Sequence, residues 1–271
     1  MLPDPKAIRR SIIEMLYRGG AAHLGPSLSA VECLIAMYSS SDLNKIIAGD
    51  AQRDRVIISK GHAAAATYAT MYHFGLLSKK QIDTYHTDGT YLGGHTNHRV
   101  PFVEASTGAA LGHGLPIAVG IAFGLKAQKA AYKLFDPYER DPLVMVLCGD
   151  GEMQEGVSYE ALTLARHHNL GNLVVIIDSN KISSIGPVND VITDNWINMV
   201  RGMDCILSSV DGHNVEELMS AIASAQGQTK PSVIVAHTVK GKGYSAAEGS
   251  AAYHYRPLSK ETYEQAMGEL K

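Results

Sequence analysis

The amino-acid sequence predicts an α/β fold, a parallel sheet with helices on both faces. Three observations carry that expectation. Short apolar runs alternate with longer stretches of helical periodicity along the whole chain, with no internal repeat and no low-complexity segment between them. The two clearest runs, Leu143–Cys148 and Leu173–Ile177, are apolar at every position, the pattern of strands buried on both sides. Each run ends in glycine and polar residues, where an open α/β sheet keeps its ligand-binding groups.

Composition narrows the function classes. The 271 residues suffice for one large α/β domain or two small ones, and 45% apolar with 19% charged residues is ordinary for a globular enzyme. A net charge of -3, no basic run, and only four Phe and one Trp argue against nucleic acid as a partner. Cys33, Cys148 and Cys205 form no spaced metal pattern and are expected as reduced thiols of a cytoplasmic protein. The amino terminus alternates charged with apolar residues and has no signal-peptide core. Gly108–Leu125 is long enough to raise the question of a membrane span. Its five glycines, Pro116 and His113 favour a packed internal helix and no membrane.

In chain order, Pro5–Tyr17 is predicted as an amphipathic helix stopped by Gly19-Gly20. Ala21–Pro26 is expected as a loop, and Ser27 or Ser29 as the cap of a helix running to Tyr38. Arg55–Ser59 is a short buried strand, followed by the turn Lys60-Gly61-His62 and an alanine-rich helix from Ala63 to Phe74. Tyr91–His95 and Val103–Gly108 belong to a glycine-rich loop, and 126–141 to a surface loop at a helix end. After the two central strands, 185–203 holds polar turns. Cys205–Asp211 is a strand, Val215–Ala225 a helix, Pro231–Val239 the last strand, and the tail from Ser259 a charged amphipathic helix.

The central β-α-β unit carries the chemistry. Leu143–Cys148 runs into Gly149-Asp150-Gly151, a helix follows from Val157 to His168, and Leu173–Ile177 ends in Asp178-Ser179-Asn180. Right-handed crossover makes the two strands parallel, so Asp150 and Asn180 face one crevice. A carboxylate and an amide oxygen suit Mg²⁺, which usually completes its shell with phosphate oxygens and water. The amides of Gly151 and the residues after it are placed to receive that anion. A Rossmann site is the nearest rival, with Asp178 as its ribose acid. The third glycine is displaced, however, and Asp150 would repel a bare pyrophosphate.

These residues resemble the thiamin diphosphate motif, a Gly-Asp-Gly followed at a set distance by an asparagine, here Gly149-Asp150-Gly151 and Ser179-Asn180. The surroundings, GDGEMQEGVSYEA and DSNKI, are similar to transketolase in particular, as are AHLGPSLSAVECL, DRVIISKGHAAAATY and the Lys240-Gly-Lys-Gly turn with His254 beyond it. The resemblance covers residues 5–270. It implies a thiamin-diphosphate-binding fold in which Asp150, Asn180 and the backbone carbonyl of Ile182 hold Mg²⁺, with Ca²⁺ or Mn²⁺ as substitutes. It implies further cofactor contacts from His62, Gly108, Leu111, Gly149, Gly151, Glu152, Lys240 and His254. His23, His95 and His254 fall on histidines that face the substrate, His62 on one that reaches the diphosphate, and Glu155 and Glu160 on glutamates of the subunit interface, Glu155 among the catalytic group. His98, Arg99 and His213 receive no role, the last being a structural corner. The family's usual T-G-x-L-G-Q-G is altered to Thr107-Gly-Ala-Ala-Leu-Gly-His113-Gly, with an added alanine and His for Gln, a change that bears on donor preference.

The resemblance is to the amino-terminal half of a transketolase only. It implies a single diphosphate-binding domain, 1–271, with the pyrimidine-binding and C-terminal domains on a separate carboxy-terminal subunit, and self-association into a dimer of heterodimers. The expected reaction moves a two-carbon ketol unit from a ketose, as its phosphate, to an aldose. Alternatives are transfer to an acyl carrier or lipoyl group, a deoxyxylulose phosphate synthase-like condensation, and a regulatory subunit that binds cofactor without turnover.

Overall fold

The computed structural model describes residues 2–105, 107–132, 140–192 and 195–271. Five strands, β1 (Arg55–Ile58), β2 (Val144–Gly149), β3 (Leu173–Ser179), β4 (Ile206–Asp211) and β5 (Ser232–His237), form one sheet in the order β1-β2-β3-β5-β4. All four pairings are parallel. The helices are α1 (Pro5–Gly19), α2 (Leu24–Ser29), α3 (Val31–Ser39), α4 (Leu43–Ala48), α5 (Ala64–His73), α6 (Lys79–Ile82), α7 (Gly114–Tyr132), α8 (Gly156–His167), α9 (Val188–Val191), α10 (Trp196–Gly202), α11 (Val215–Ala223) and α12 (Lys260–Glu269).

Successive side chains of a strand point to opposite faces, and here both faces are covered. Met145, Leu147, Val174, Ile176 and Ile234 pack into a layer with α1, α3, α5 and α11. Val144, Val146, Val175, Ile177, Val233 and Val235 pack into a second layer with α7, α8 and α10. That is why Val144–Cys148 of β2 and Leu173–Ile177 of β3 are apolar at every position. The edge strand β4 is half-buried or exposed along its length, and its sequence admits Ser208, Ser209 and Asp211 beside its apolar residues.

The exits from the strands position the site. The chain leaves β1 into α5 and leaves β5 towards Tyr244 and α12, all in the first layer. It leaves β2 and β3 into α8 and α10, in the second. Neighbouring loops therefore diverge, and a crevice opens at the carboxyl edge of the sheet, the ligand-binding place of such folds.

Several expected boundaries move. The segment 21–38 is not loop then one helix: α2 starts at Leu24, and Ala30 separates it from α3. Neither Ser27 nor Ser29 caps a helix; Ser29 Oγ is drawn to Asp178, 2.6 Å away. The helix expected over Gly108–Leu125 begins at Gly114, after turns at 108–113, and its outer side is solvent-facing, with Phe123 46% exposed. It continues to Tyr132 through the first part of the expected surface loop, whose residues 133–139 lie outside the described residues. Ser106 of the Val103–Gly108 element does so too. The stretch 185–203 contains two helices, α9 and α10, with Thr193 and Asp194 outside the described residues. Among the described residues no helix is long and apolar enough to cross a membrane. Cys33 and Cys148 are buried, Cys205 is partly so, and all three are free thiols.

Candidate active site

At the carboxyl edge the loops after β1, β2, β3 and β5 enclose a cavity of about 450 Å³. Asp150 and Asn180, from the ends of β2 and β3, both line it. Asp150 is nearly out of solvent; its Oδ1 accepts the Gly151 N–H at 2.8 Å and its Oδ2 accepts the Lys181 N–H. Burial, with the Asp178 carboxylate nearby, pushes its pKa up to about 6. Asn180 Oδ1 accepts the Ile182 N–H at 3.2 Å, and its Nδ2 donates to Ser29 Oγ at 3.3 Å and Asp178 Oδ2 at 3.4 Å.

Asp178 itself is fully buried and forms an ion pair with Lys60 at the end of β1. Ser29 and Thr238 hydroxyls donate to the same carboxylate. Burial alone would raise its pKa, but Lys60 and these hydroxyls hold it below the usual value. So enclosed, Asp178 cannot present itself to a ribose, and the Rossmann alternative fails on that residue. Glu152 is likewise buried and gathers three loops: it accepts from Ser59 Oγ, from the Gly112 N–H at 2.6 Å and from the Gly149 N–H at 3.0 Å. Burial raises its pKa.

Opposite the acids stand four histidines. His23 takes a left-handed backbone (φ 71°), uncommon for a residue with a Cβ, and its N–H is held by the His254 carbonyl at 2.8 Å. Its ring centroid lies 5.7 Å from that of His62, 5.1 Å from His95 and 5.3 Å from His254. His95 is anchored through its carbonyl, which accepts from Tyr68 Oη at 3.3 Å, and through Thr96, whose N–H meets the Gly61 carbonyl at 3.1 Å. Burial, then the neighbouring His95, His86 and Lys240, lowers the His23 pKa to about 4. Burial and Lys240 lower that of His254 to about 3, and burial lowers those of His62 and His95. All four rings are therefore neutral at pH 7, each with one donor and one acceptor. Lys240 Nζ donates to the carbonyls of Ile182 (2.9 Å) and Ser183 (2.7 Å) and lies 3.3 Å from His254 Nδ1. An ammonium can only donate, so Nδ1 is the acceptor and Nε2 carries the His254 proton. Burial and Lys60 bring the Lys240 pKa down to about 8.

Of the residues expected from sequence, His23, His62, His95, Leu111, Gly149, Asp150, Gly151, Glu152, Glu155, Asn180, Ile182, Lys240 and His254 all line this cavity. Three observations qualify their expected parts. The Gly151 N–H is already taken by Asp150, and a short 3-10 turn, Gly151–Gln154, separates it from α8. Gly108 does not line the cavity; its carbonyl backs the His62 turn, so close that a Cβ on Gly61 would lie 2.1 Å from it. Glu160 and the substituted His113 are exposed and outside the cavity lining. Lys60 and Tyr255, missed from sequence, line it as well, the Tyr255 ring 4.6 Å from that of His254. Lys60 sits at a strand's carboxyl end, which was the available signal. The His213 ring meets Glu32 and the Val239 N–H, its backbone N–H donates to Asp211 Oδ1 at 2.9 Å, and it is absent from the lining, as a corner residue should be.

The donor set fits a divalent ion completed by a ligand. Among the described residues no group of three or more His, Cys, Asp or Glu could hold a metal alone. One buried carboxylate, one amide and a loop carbonyl fit an ion that draws its remaining oxygens from a diphosphate. Two lysines in the same wall, Lys60 and Lys240, suit an anionic ligand further.

Several known proteins resemble this chain along nearly its whole length. Residues 5–270 match the family described as "Transketolase, thiamine diphosphate binding domain". An apulose-4-phosphate transketolase subunit of Phocaeicola vulgatus is 35% identical over 271 aligned residues, 97% of this chain and 90% of that protein. A 6-deoxy-6-sulfo-D-fructose transketolase subunit of a Clostridium species is 32% identical, covering 97% of this chain and 94% of its own. Among solved structures, the transketolase of Pichia stipitis in complex with sedoheptulose-7-phosphate superposes with a TM-score of 0.88 at 29% identity, over 98% of this chain and 40% of that one. The Campylobacter jejuni enzyme gives 0.83 at 31%, over 98% and 42%. The chain thus spans about two fifths of those solved transketolases and nearly all of the relatives named as subunits.

Proposed function

The chain belongs to the transketolase amino-terminal, thiamin diphosphate-binding family, and from that membership we propose that it is the cofactor-binding subunit of a two-chain transketolase. In this reading it is a transferase that moves a two-carbon ketol unit from a ketose phosphate or similar anionic ketose to an aldose. A carboxy-terminal subunit would supply the rest of the active site, two such pairs forming a dimer of heterodimers. The observation that carries the proposal is the meeting, in one cavity, of Asp150 and Asn180 with four neutral histidines. The subunit naming of relatives of matching length supports the two-chain arrangement.

Asp150, Asn180 and the Ile182 carbonyl would hold Mg²⁺. For the carbonyl this means sharing with Lys240, which now donates to it. Bound thiamin diphosphate supplies the carbon nucleophile and electron sink. The chain's own groups bind, orient and move protons. Lys240 and His62 would meet the diphosphate. His23, His95 and the Nε2–H of His254 would hydrogen-bond donor hydroxyls and the oxygen on which charge develops, where fixed donors in a dry site act most strongly. Glu155, exposed at the rim, would face the partner.

Co-expression with the partner chain, followed by assay on a panel of ketose phosphates, tests the proposal. Activity should need both chains and fall about 10²-fold or more in His23→Ala or His254→Ala pairs, the loss seen when a charge-stabilising donor is removed. Full activity in either variant would refute the assignment.

A further inference from the structure

A chain of polar groups, buried at Arg9 and Glu32 and reaching solvent at Val239, leads to Lys240. Arg9 on α1 donates from Nη1 and Nη2 to the Glu32 carboxylate of α3, at 2.8 and 2.7 Å, and from Nη2 to the Leu28 carbonyl at 3.2 Å. Glu32 Oε2 also meets His213 Nδ1 at 3.0 Å. On the far side of the ring, His213 Nε2 lies 2.8 Å from the Val239 nitrogen. A backbone amide can only donate, so Nε2 is the acceptor and the ring proton sits on Nδ1, directed at Glu32. Glycine lets this corner come close. The Gly212 N–H bonds the His237 carbonyl at 2.8 Å, and a Cβ on Gly212 would lie 2.4 Å from Thr238 Cγ2.

Val239 immediately precedes Lys240, whose ammonium is spread over the Ile182 and Ser183 carbonyls and His254. We propose that His213 is a positioning residue: by accepting the Val239 N–H it fixes the turn that aims Lys240 into the cavity, while Glu32 and Arg9 fix its tautomer and ring plane. The claim rests on the reading of the cavity as a cofactor site that includes Lys240. A merely structural corner would affect folding stability and leave cofactor binding alone. An orienting group acting through a ligand-binding one affects affinity through it.

Two substitutions separate the bonds of the ring. His213→Gln places an acceptor where Nε2 stood, keeping the Val239 bond; His213→Asn reaches only the Glu32 side. Both are made in the co-expressed pair, alone and with Lys240→Met. Thiamin diphosphate affinity at saturating Mg²⁺ and the urea midpoint are then measured. His213→Asn should weaken cofactor binding about tenfold, a typical loss for an orienting partner. His213→Gln should weaken it less, and neither should weaken it further once Lys240 is Met. The proposal is overturned if His213→Asn costs the same in both backgrounds, or if both variants shift only the urea midpoint. Should Lys240→Met itself leave affinity unchanged, the place of Lys240 in the site falls, and the positioning role with it.

Discussion

Asp150 shows how a single residue couples the fold to the proposed function. With its pKa near 6, the carboxyl holds a proton in mild acid, and a metal must displace that proton to bind. Metal-dependent cofactor affinity should therefore be about tenfold lower at pH 5 than at pH 7.5, measured by calorimetry at fixed Mg²⁺. A flat affinity across that range would exclude Asp150 as ligand. The sign for stability without ligand is opposite to that of an ordinary carboxylate: a raised pKa favours the folded chain below pH 4 and works against it above pH 6. The histidines act the other way. Pulled below 6.5, to about 4 for His23 and about 3 for His254, they take up protons in the unfolded chain first. Their contribution is intact above pH 6.5 and is lost as pH falls towards 3; the urea midpoint should drop over that range, and drop less in His23→Asn. At this scale Asp150, Asn180 and His62 were legible, because position at a strand's carboxyl end needs only local pattern; His23, His95 and His254 were expected through the family resemblance alone. The partner of Asp178 was not. Lys60 lies 118 residues away, and their contact depends on β1, β2 and β3 lying side by side, which no local pattern states.

Among the elements, α7 makes the point about boundaries. Its amino end is pinned to β1: the Gly114 N–H donates to Ser59 Oγ at 3.0 Å, and a Cβ on Gly114 would fall 2.5 Å from the Ser59 Cα. Gly120, two turns on, has nothing within 4 Å of such a Cβ. Gly114→Ala should thus destabilise by roughly 1–3 kcal/mol, the cost of forcing an extra carbon into packed structure. It should also disturb the Ser59–Glu152–Gly112 bonds. Gly120→Ala should stabilise by about 0.4–1 kcal/mol through the unfolded chain. Urea unfolding of the two variants decides, and equal effects would show that the close approach at Gly114 is not real. The apolar runs of β2, β3 and β5 were plain in sequence because two helical layers bury both their faces. The start of α7 was not, since Gly108–Leu125 is apolar and glycine-rich apart from His113, and the contact with β1 that selects Gly114 is tertiary. The start of α2 at Leu24, inside the expected loop, was hidden for a similar reason: His23 must adopt a left-handed backbone to start α2, held there by a carbonyl from the far end of the chain.

Across the whole molecule, the order β1-β2-β3-β5-β4 converts four sequence-distant strand ends into one wall, and the divergence of their loops opens the cavity. The β-α-β handedness that put Asp150 and Asn180 on one edge was derivable from sequence; the insertion of β5 between β3 and β4, which brings Lys240 and His254 opposite them, was not. The account as a whole depends on a divalent ion bridging those two side chains to thiamin diphosphate, and titration calorimetry of the cofactor into the co-expressed pair addresses it most directly. With Mg²⁺ present the wild-type pair should bind saturably, and both excess chelator and Asp150→Ala should abolish that binding. Equal affinity in chelator, or undiminished Mg²⁺-dependent binding by Asp150→Ala, would contradict it.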